Sequence, residues 1–238
     1  MNKIKLFCFP YAGGSSMIYQ PWRKFVNPNI DIEPVELAGR GKRINQPMYS
    51  SIKEAVEDVY NIIEEHLDQP YAFFGHSMGA GIAYELTHKI VGLKKRWPSA
   101  VIFSGRSAPH VERADDKKYH LMDEDLFRKE VIELGGTPPE FFDYPELMDL
   151  FIPLLKNDFK LAETDIYNGK IDPLPMDIHV FLGEDDDLTK DQCDGWKQHS
   201  ERNCNIHYFE GGHFFLNDDP AKIVGLVNEI CGQPEIVV

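Results

Sequence analysis

The chain has 238 residues and a formal charge of −14 at pH 7, with 39 acidic against 25 basic side chains. Hydrophobic residues are 42% and charged residues 27%, which fits a globular protein and excludes a disordered chain. The acidic balance speaks against nucleic acid and anionic membranes, because phosphate contact needs clustered Lys and Arg, and the basic clusters are only Arg40-Gly41-Lys42-Arg43 and Lys94-Lys95-Arg96.

This length predicts one domain over 1–238, or one domain plus an insertion, burying roughly 70–75% of its unfolded surface without disulfide or metal staples. Cys8, Cys193, Cys204 and Cys231 form no CxxC pair, so zinc-ribbon and thioredoxin readings lose their basis. The N-terminus has no signal-peptide core, and no run approaches about 18 apolar residues. The expectation is a reduced, cytoplasmic protein.

In chain order, Ile4–Phe9 is an apolar run of strand length ended by Pro10 and Gly13-Gly14. Asp31–Leu37 alternates loosely and stops at Gly39. Ser51–Leu67 carries apolar residues at helical spacing. Tyr71–Phe74 is a second strand, stopped by Gly75, and Met78–Val91 reads as a helix. Ala100–Phe103, Ile178–Leu182 and Ile206–Phe209 are three further strands. Asp191–Arg202 and Pro220–Cys231 read as helices, with Pro220 suited to a first helical turn. Strands alternating with helices predict an α/β fold with a mainly parallel sheet. About seventy residues between Phe103 and Ile178 carry no convincing strand. Helices are predicted there over Leu121–Leu134, Tyr144–Leu155 and Asp158–Tyr167, an insertion of about 106–170 able to cover the sheet edge. Its aromatics, Phe141, Phe142, Tyr144, Phe151 and Phe159, either pack it onto the sheet or line an acyl channel.

Gly75-His76-Ser77-Met78-Gly79 matches G-x-S-x-G, with an apolar strand before it and a helix after. A chain with 18 Gly and this serine content yields only about 0.05 such matches by chance. The strand-to-helix turn lifts a serine hydroxyl clear of the sheet, and the flanking glycines avoid clashes there. A serine needs a base, and the base an orienting acid. In this arrangement the order is Ser, acid, His. His213 fits the base, in Gly211-Gly212-His213-Phe214 between the last strand and the last helix. His207 lies inside a strand, and His76 adjoins Ser77 with its side chain expected to point away. The acid belongs after Ile178–Leu182, where Gly183-Glu184-Asp185-Asp186-Asp187 leaves Asp185, Asp186 and Asp187 as alternatives. Acyl transfer also needs two backbone N–H donors for the oxyanion, worth about 2.7–4 kcal/mol each. One is Met78, next to the nucleophile; the other comes from the loop Phe9-Pro10-Tyr11-Ala12-Gly13-Gly14. No metal-ligand motif is present, and without a P-loop or dinucleotide fingerprint a phosphate nest at Ala12–Gly14 is discounted.

These residues carry a resemblance over nearly the whole chain. The chain resembles the type II (external, editing) thioesterases of nonribosomal peptide and polyketide synthesis, in the α/β-hydrolase superfamily. The Phe9–Gly14 loop, the Gly75–Gly79 motif and Gly211–Phe214 match that family. Glu36-Leu37-Ala38-Gly39-Arg40-Gly41 is similar to its P-G-R-G segment, with Leu-Ala in place of Pro. The more specific likeness is to its lid helices: Leu134-Gly135-Gly136-Thr137-Pro138-Pro139-Glu140, Pro145-Glu146-Leu147-Met148 and Leu154-Leu155-Lys156-Asn157-Asp158-Phe159. The resemblance implies Ser77 as nucleophile, His213 as base, and Asp186 as acid with Asp187 in reserve. It implies Met78 and Ala12 as oxyanion donors and requires no cofactor. The implied substrates are acyl groups on the phosphopantetheine arm of acyl or peptidyl carrier proteins, and the implied state is a monomer. Alternatives are a small-ester or lipid esterase, a medium-chain acyl-carrier thioesterase, or a non-catalytic carrier-binding module. Carrier proteins are commonly acidic, so docking onto this acidic chain calls for a local basic or apolar patch, sought near Arg106 or Arg113.

Overall fold

Alternation along the strands sorts side chains onto two faces of one sheet. The protein, a computed structural model, is described over residues 3–112, 117–137, 139–164 and 166–232. Six strands, β1 (Ile4–Phe9), β2 (Ile30–Pro34), β3 (Tyr71–His76), β4 (Ala100–Ser104), β5 (Ile178–Gly183) and β6 (Cys204–Phe209), form a sheet of order β2-β1-β3-β4-β5-β6. Every pairing is parallel. The helices are α1 (Ile52–Ile63), α2 (Met78–Gly92), α3 (Glu124–Leu134), α4 (Pro145–Ala162), α5 (Lys190–Asp194), α6 (Phe215–Asp218) and α7 (Pro220–Cys231).

Phe7, Phe9, Phe73, Val101, Phe103, Val180 and Leu182 point to one face, where α1, α2 and Trp196 cover them. Leu6, Cys8, Phe74, Ile102 and Phe181 point to the other, against α7, Tyr19 and Trp22. That period-two sorting is the physical reason the central strands read as continuous apolar runs. Cys8 is fully buried, as expected of a core residue.

The expected α/β architecture is the observed one, with local differences. The strand predicted over Asp31–Leu37 ends at Pro34, which brings no N–H to a ladder. The helix expected over Asp191–Arg202 is the short α5, capped by a Thr189–Gln192 capping box, followed by a 3₁₀ turn over Gly195–His199. The segments predicted as two helices, Tyr144–Leu155 and Asp158–Tyr167, are one helix, α4, which ends at Ala162. Leu154, Leu155, Asp158 and Leu161 share its buried face at three- and four-residue spacing, so nothing breaks the helix at 156–157. A 3₁₀ segment, Ser16–Lys24, has no counterpart among the predicted elements.

Candidate active site

The loops leaving the C-terminal ends of β1, β3, β5 and β6 converge, which is where parallel α/β sheets bind ligands. At the end of β3, Ser77 adopts φ 54° and ψ −112°, a strained conformation for a residue with a side chain. Sterics impose it. A Cβ on Gly75 would enter the Gly79 carbonyl, and one on Gly79 would enter the Phe9 carbonyl and lie 2.8 Å from that of Pro10. Ser77 N–H donates to the Ser104 carbonyl at 2.8 Å, and the Ser77 carbonyl accepts from Ala80 N–H at 3.1 Å. Met78 opens α2, so its N–H has no intrahelical acceptor, and the positive helix end faces the serine.

The turns after β5 and β6 close on each other through glycine. A Cβ on Gly183 would come within 2.5 Å of the Gly212 carbonyl and 2.6 Å of that of Gly211. Asp185 N–H donates to the Gly211 carbonyl at 3.0 Å. This seats Asp186 against His213: Nδ1 lies 3.0 Å from Oδ2 and 3.3 Å from Oδ1. Asp185 and Asp187 are exposed, so of the three alternatives the structure brings only Asp186 to the imidazole. With Nδ1 donating to a carboxylate, Nε2 is left as the basic nitrogen. The side chains are 17% and 8% exposed, sheltered yet reachable.

The His213 ring lies 5.2 Å from that of His76, beside the serine turn. Among the described residues no hydrogen bond joins Ser77 Oγ to His213; such contacts commonly tighten only with substrate bound. His76 is fully buried and its Nδ1 meets Ser104 Oγ at 2.9 Å. Burial first, then the neighbouring His213, holds His76 well below the usual histidine range, so it stays neutral. His207 stacks on His179 within the sheet.

The β1 loop lies against the same place, the Tyr11 ring 5.8 Å from that of His76. Gly14 N–H donates to the Tyr11 carbonyl at 2.9 Å, and Gly13 N–H donates to Asp158 Oδ2 at 2.8 Å. Among the described residues no acceptor takes the Ala12 N–H. Arg40 pairs with Asp158 through two contacts, Nη1–Oδ2 at 2.6 Å and Nη2–Oδ1 at 2.7 Å, and both side chains are buried. Sequence reasoning placed Arg40 and Asp158 only within matching strings. They lie 118 residues apart, and no local pattern joins them.

The helical segment between β4 and β5 meets the site directly. A Cβ on Gly13 would lie 2.7 Å from Leu155 and 3.0 Å from Phe151. Phe127, Phe142, Ile152, Leu155 and Phe159 form a small core of their own, with Phe151 and Ala12 at its edge. Phe141 packs on Phe151 at 4.6 Å, whereas Tyr144 is exposed. Arg106 does not supply the docking patch sought from the sequence. It is buried, and it donates to the carbonyls of Ala162 at 3.2 Å and Ser77 at 3.5 Å, holding α4 and the serine turn together. Arg113 lies outside the described residues. Among the described residues no cluster of His, Cys, Asp and Glu is arranged to hold a metal ion, and no helix is long and apolar enough to cross a membrane.

A strained serine at a strand-to-helix turn, with a carboxylate–imidazole pair on the later loops of a parallel sheet, defines the α/β-hydrolase fold. Residues 4–231 match the thioesterase domain family, and the chain belongs to that family, as a type II thioesterase of the kind found in nonribosomal peptide and polyketide pathways. It is 30% identical to the gramicidin S biosynthesis protein GrsT of Aneurinibacillus migulanus, over 99% of this chain and 91% of that protein. It is 32% identical to the medium-chain S-acyl fatty acid synthase thioesterase of Rattus norvegicus, over 90% of this chain and 81% of that one. The solved structure of BorB, the type II thioesterase from the borrelidin biosynthetic cluster, superposes with a TM-score of 0.86 at 30% identity, covering 96% of this chain and 93% of that one.

Proposed function

We propose that this thioesterase edits a nonribosomal peptide or polyketide synthase, hydrolysing short or aberrant acyl groups from the phosphopantetheine thioesters of its carrier proteins. The observation that carries the chemistry is the Asp186–His213 contact of 3.0 Å beside the strained Ser77 turn. Ser77 Oγ attacks the thioester carbonyl as His213 Nε2 takes its proton. Asp186 holds the imidazole tautomer and the imidazolium that forms. The N–H groups of Met78 and Ala12 donate to the tetrahedral oxyanion. Its collapse breaks the C–S bond, and His213 returns the proton to the pantetheine thiolate. Water, deprotonated by His213, then releases the acyl group from Ser77 by the same steps in reverse order of partners. A thioester is a reactive acyl donor, so this machinery needs no cofactor.

The helical segment from about 106 to 170 serves as a lid over Ser77. Its own small core and its seat against Gly13 support that reading. The relative in gramicidin S biosynthesis and the borrelidin-cluster structure support the substrate class. The protein acts in the cytoplasm, as a monomer.

The test is hydrolysis of acetyl and aminoacyl groups loaded on a carrier protein. Ser77→Ala is expected to abolish turnover, and retained turnover rejects Ser77 as nucleophile. The rat relative favours a second reading, medium-chain acyl release. A carrier series from two to twelve carbons separates the two: editing predicts preference for the short chains. Strong preference for simple oxygen esters over carrier thioesters rejects both.

A further inference from the structure

The mechanism uses the Ala12 N–H but does not explain what holds it. Two consecutive peptide groups set its direction. The Tyr11 carbonyl is turned back to accept from Gly14 N–H at 2.9 Å. In a planar trans peptide the carbonyl and the N–H point opposite ways, so the Ala12 N–H is directed away from the turn. The next peptide is pinned by its Gly13 N–H, which donates to Asp158 Oδ2 at 2.8 Å. Gly13 has φ 74°, and the turn has no side chain of its own to stiffen it there.

Asp158 comes from α4, across 145 residues of sequence. Its carboxylate accepts from Gly13 N–H and from both Nη atoms of Arg40, and Arg40 Nη1 also donates to the Gly14 carbonyl at 3.0 Å. Arg40 is 4% exposed and Asp158 0%. A buried ion pair of this kind is weak evidence for stability, because desolvation offsets much of the attraction; its better-attested use is to specify one geometry. Here each partner reaches past the other to a backbone group of the β1 loop.

We propose that Arg40 and Asp158 are positioning residues that hold the Ala12 oxyanion donor in its productive orientation, making that orientation depend on the seating of α4. The inference rests on Ser77 and Ala12 having the roles given above. Seating α4 completes the oxyanion site, and lifting it withdraws the acceptor from Gly13 N–H and frees the turn. Phe151 and Leu155 touch the same turn from α4, so its seating is shared between packing and charge.

The experiment compares two double variants of equal charge. In Arg40→Met with Asp158→Asn, an acceptor oxygen remains for Gly13 N–H; in Arg40→Met with Asp158→Leu, it does not. Neither leaves an unpaired buried charge. Each is assayed on a small free acyl thioester and on an acyl-carrier substrate, at a temperature where circular dichroism shows it folded. The leucine variant is expected to have a kcat about 10- to 100-fold below the asparagine variant on both substrates, with KM within threefold and an unshifted pH profile, a fraction of the 10²- to 10³-fold cost of deleting an oxyanion donor. Equal kcat values, or a difference confined to KM, overturn the proposal. Should neither variant fold, amide exchange in the wild-type chain decides: Gly13 N–H is expected to exchange slowly, and exchange as fast as an exposed loop overturns it. Ser77→Ala runs alongside. Retained turnover there rejects the nucleophile and this role with it, whereas equal doubles with an inactive Ser77→Ala reject only the positioning role.

Discussion

The serine turn and the helical segment between β4 and β5 face each other across the site, and they are built by opposite means. The turn is backbone packed on backbone, and Gly75 and Gly79 leave no room for a single added carbon. The helical segment has its own small core and exposes Leu121, Leu147 and Leu150. Its C-terminal part is fastened by named polar contacts: Asp158 to Arg40 and Gly13, and Ala162 to Arg106. The position of Ser77 is therefore fixed by sterics, which leave no room for an added carbon at Gly75 or Gly79. The helical segment is held by contacts that can be changed one at a time.

The largest expected effect breaks the rigid side at Asp186, the proposed acid. Asp186→Asn is expected to lower kcat by about 10⁴, through the wrong imidazole tautomer, with little change in melting temperature. Asp187→Asn is expected to stay near wild type, and steady-state kinetics on both separates the two carboxylates. Glycine substitutions sharpen the contrast next. Gly79→Ala drives a methyl into the Phe9 carbonyl and is expected to cost more than about 3 kcal/mol in urea unfolding, or to prevent folding. Gly135→Ala, at φ 90° with open space around it, is expected to cost only the conformational strain of about 1–2 kcal/mol.

An effect of similar size, set by pH, lies at the seam between scaffold and insertion. There His199 Nδ1 meets Tyr84 Oη at 2.9 Å and Nε2 meets His110 Nδ1 at 2.8 Å. Burial first, then His110 and His88, lowers His199 from 6.5 to about 4. The unfolded chain takes up this proton first as pH falls. The contribution to stability is thus full above pH 6.5 and is lost as pH drops through 6.5 toward 4, by about 2 kcal/mol after allowing for partial solvation. Thermal melts between pH 7 and 4 are expected to show a slope of this sign, and His199→Gln to reduce it, the remainder coming from His76 and His179, which burial lowers in the same way.

Much of this architecture was legible in the residues. The central strands were visible because a strand buried on both faces must be apolar throughout, as Tyr71–Phe74 and Ala100–Phe103 are, whereas the edge strands β2 and β6 carry polar residues and are only partly buried. Ser77 was legible because a strained turn tolerates only glycine two positions either side. His213 followed from its place after the last strand. Asp186 was reached through the family pattern alone, since local spacing left its neighbours open, and the structure seats it on Nδ1. The 156–157 break expected in α4 was misread because Lys156 and Asn157 are polar; they sit at its half-buried edge and leave the packed face intact.

By itself the sequence determined the sheet, the serine turn and the order of the chemical groups, because periodicity and steric exclusion act over a few neighbouring residues. Only the tertiary structure decided what Arg40, Asp158 and Arg106 do. Each is a charged residue whose meaning lies in a partner far along the chain, and burial without that partner would be too costly to persist.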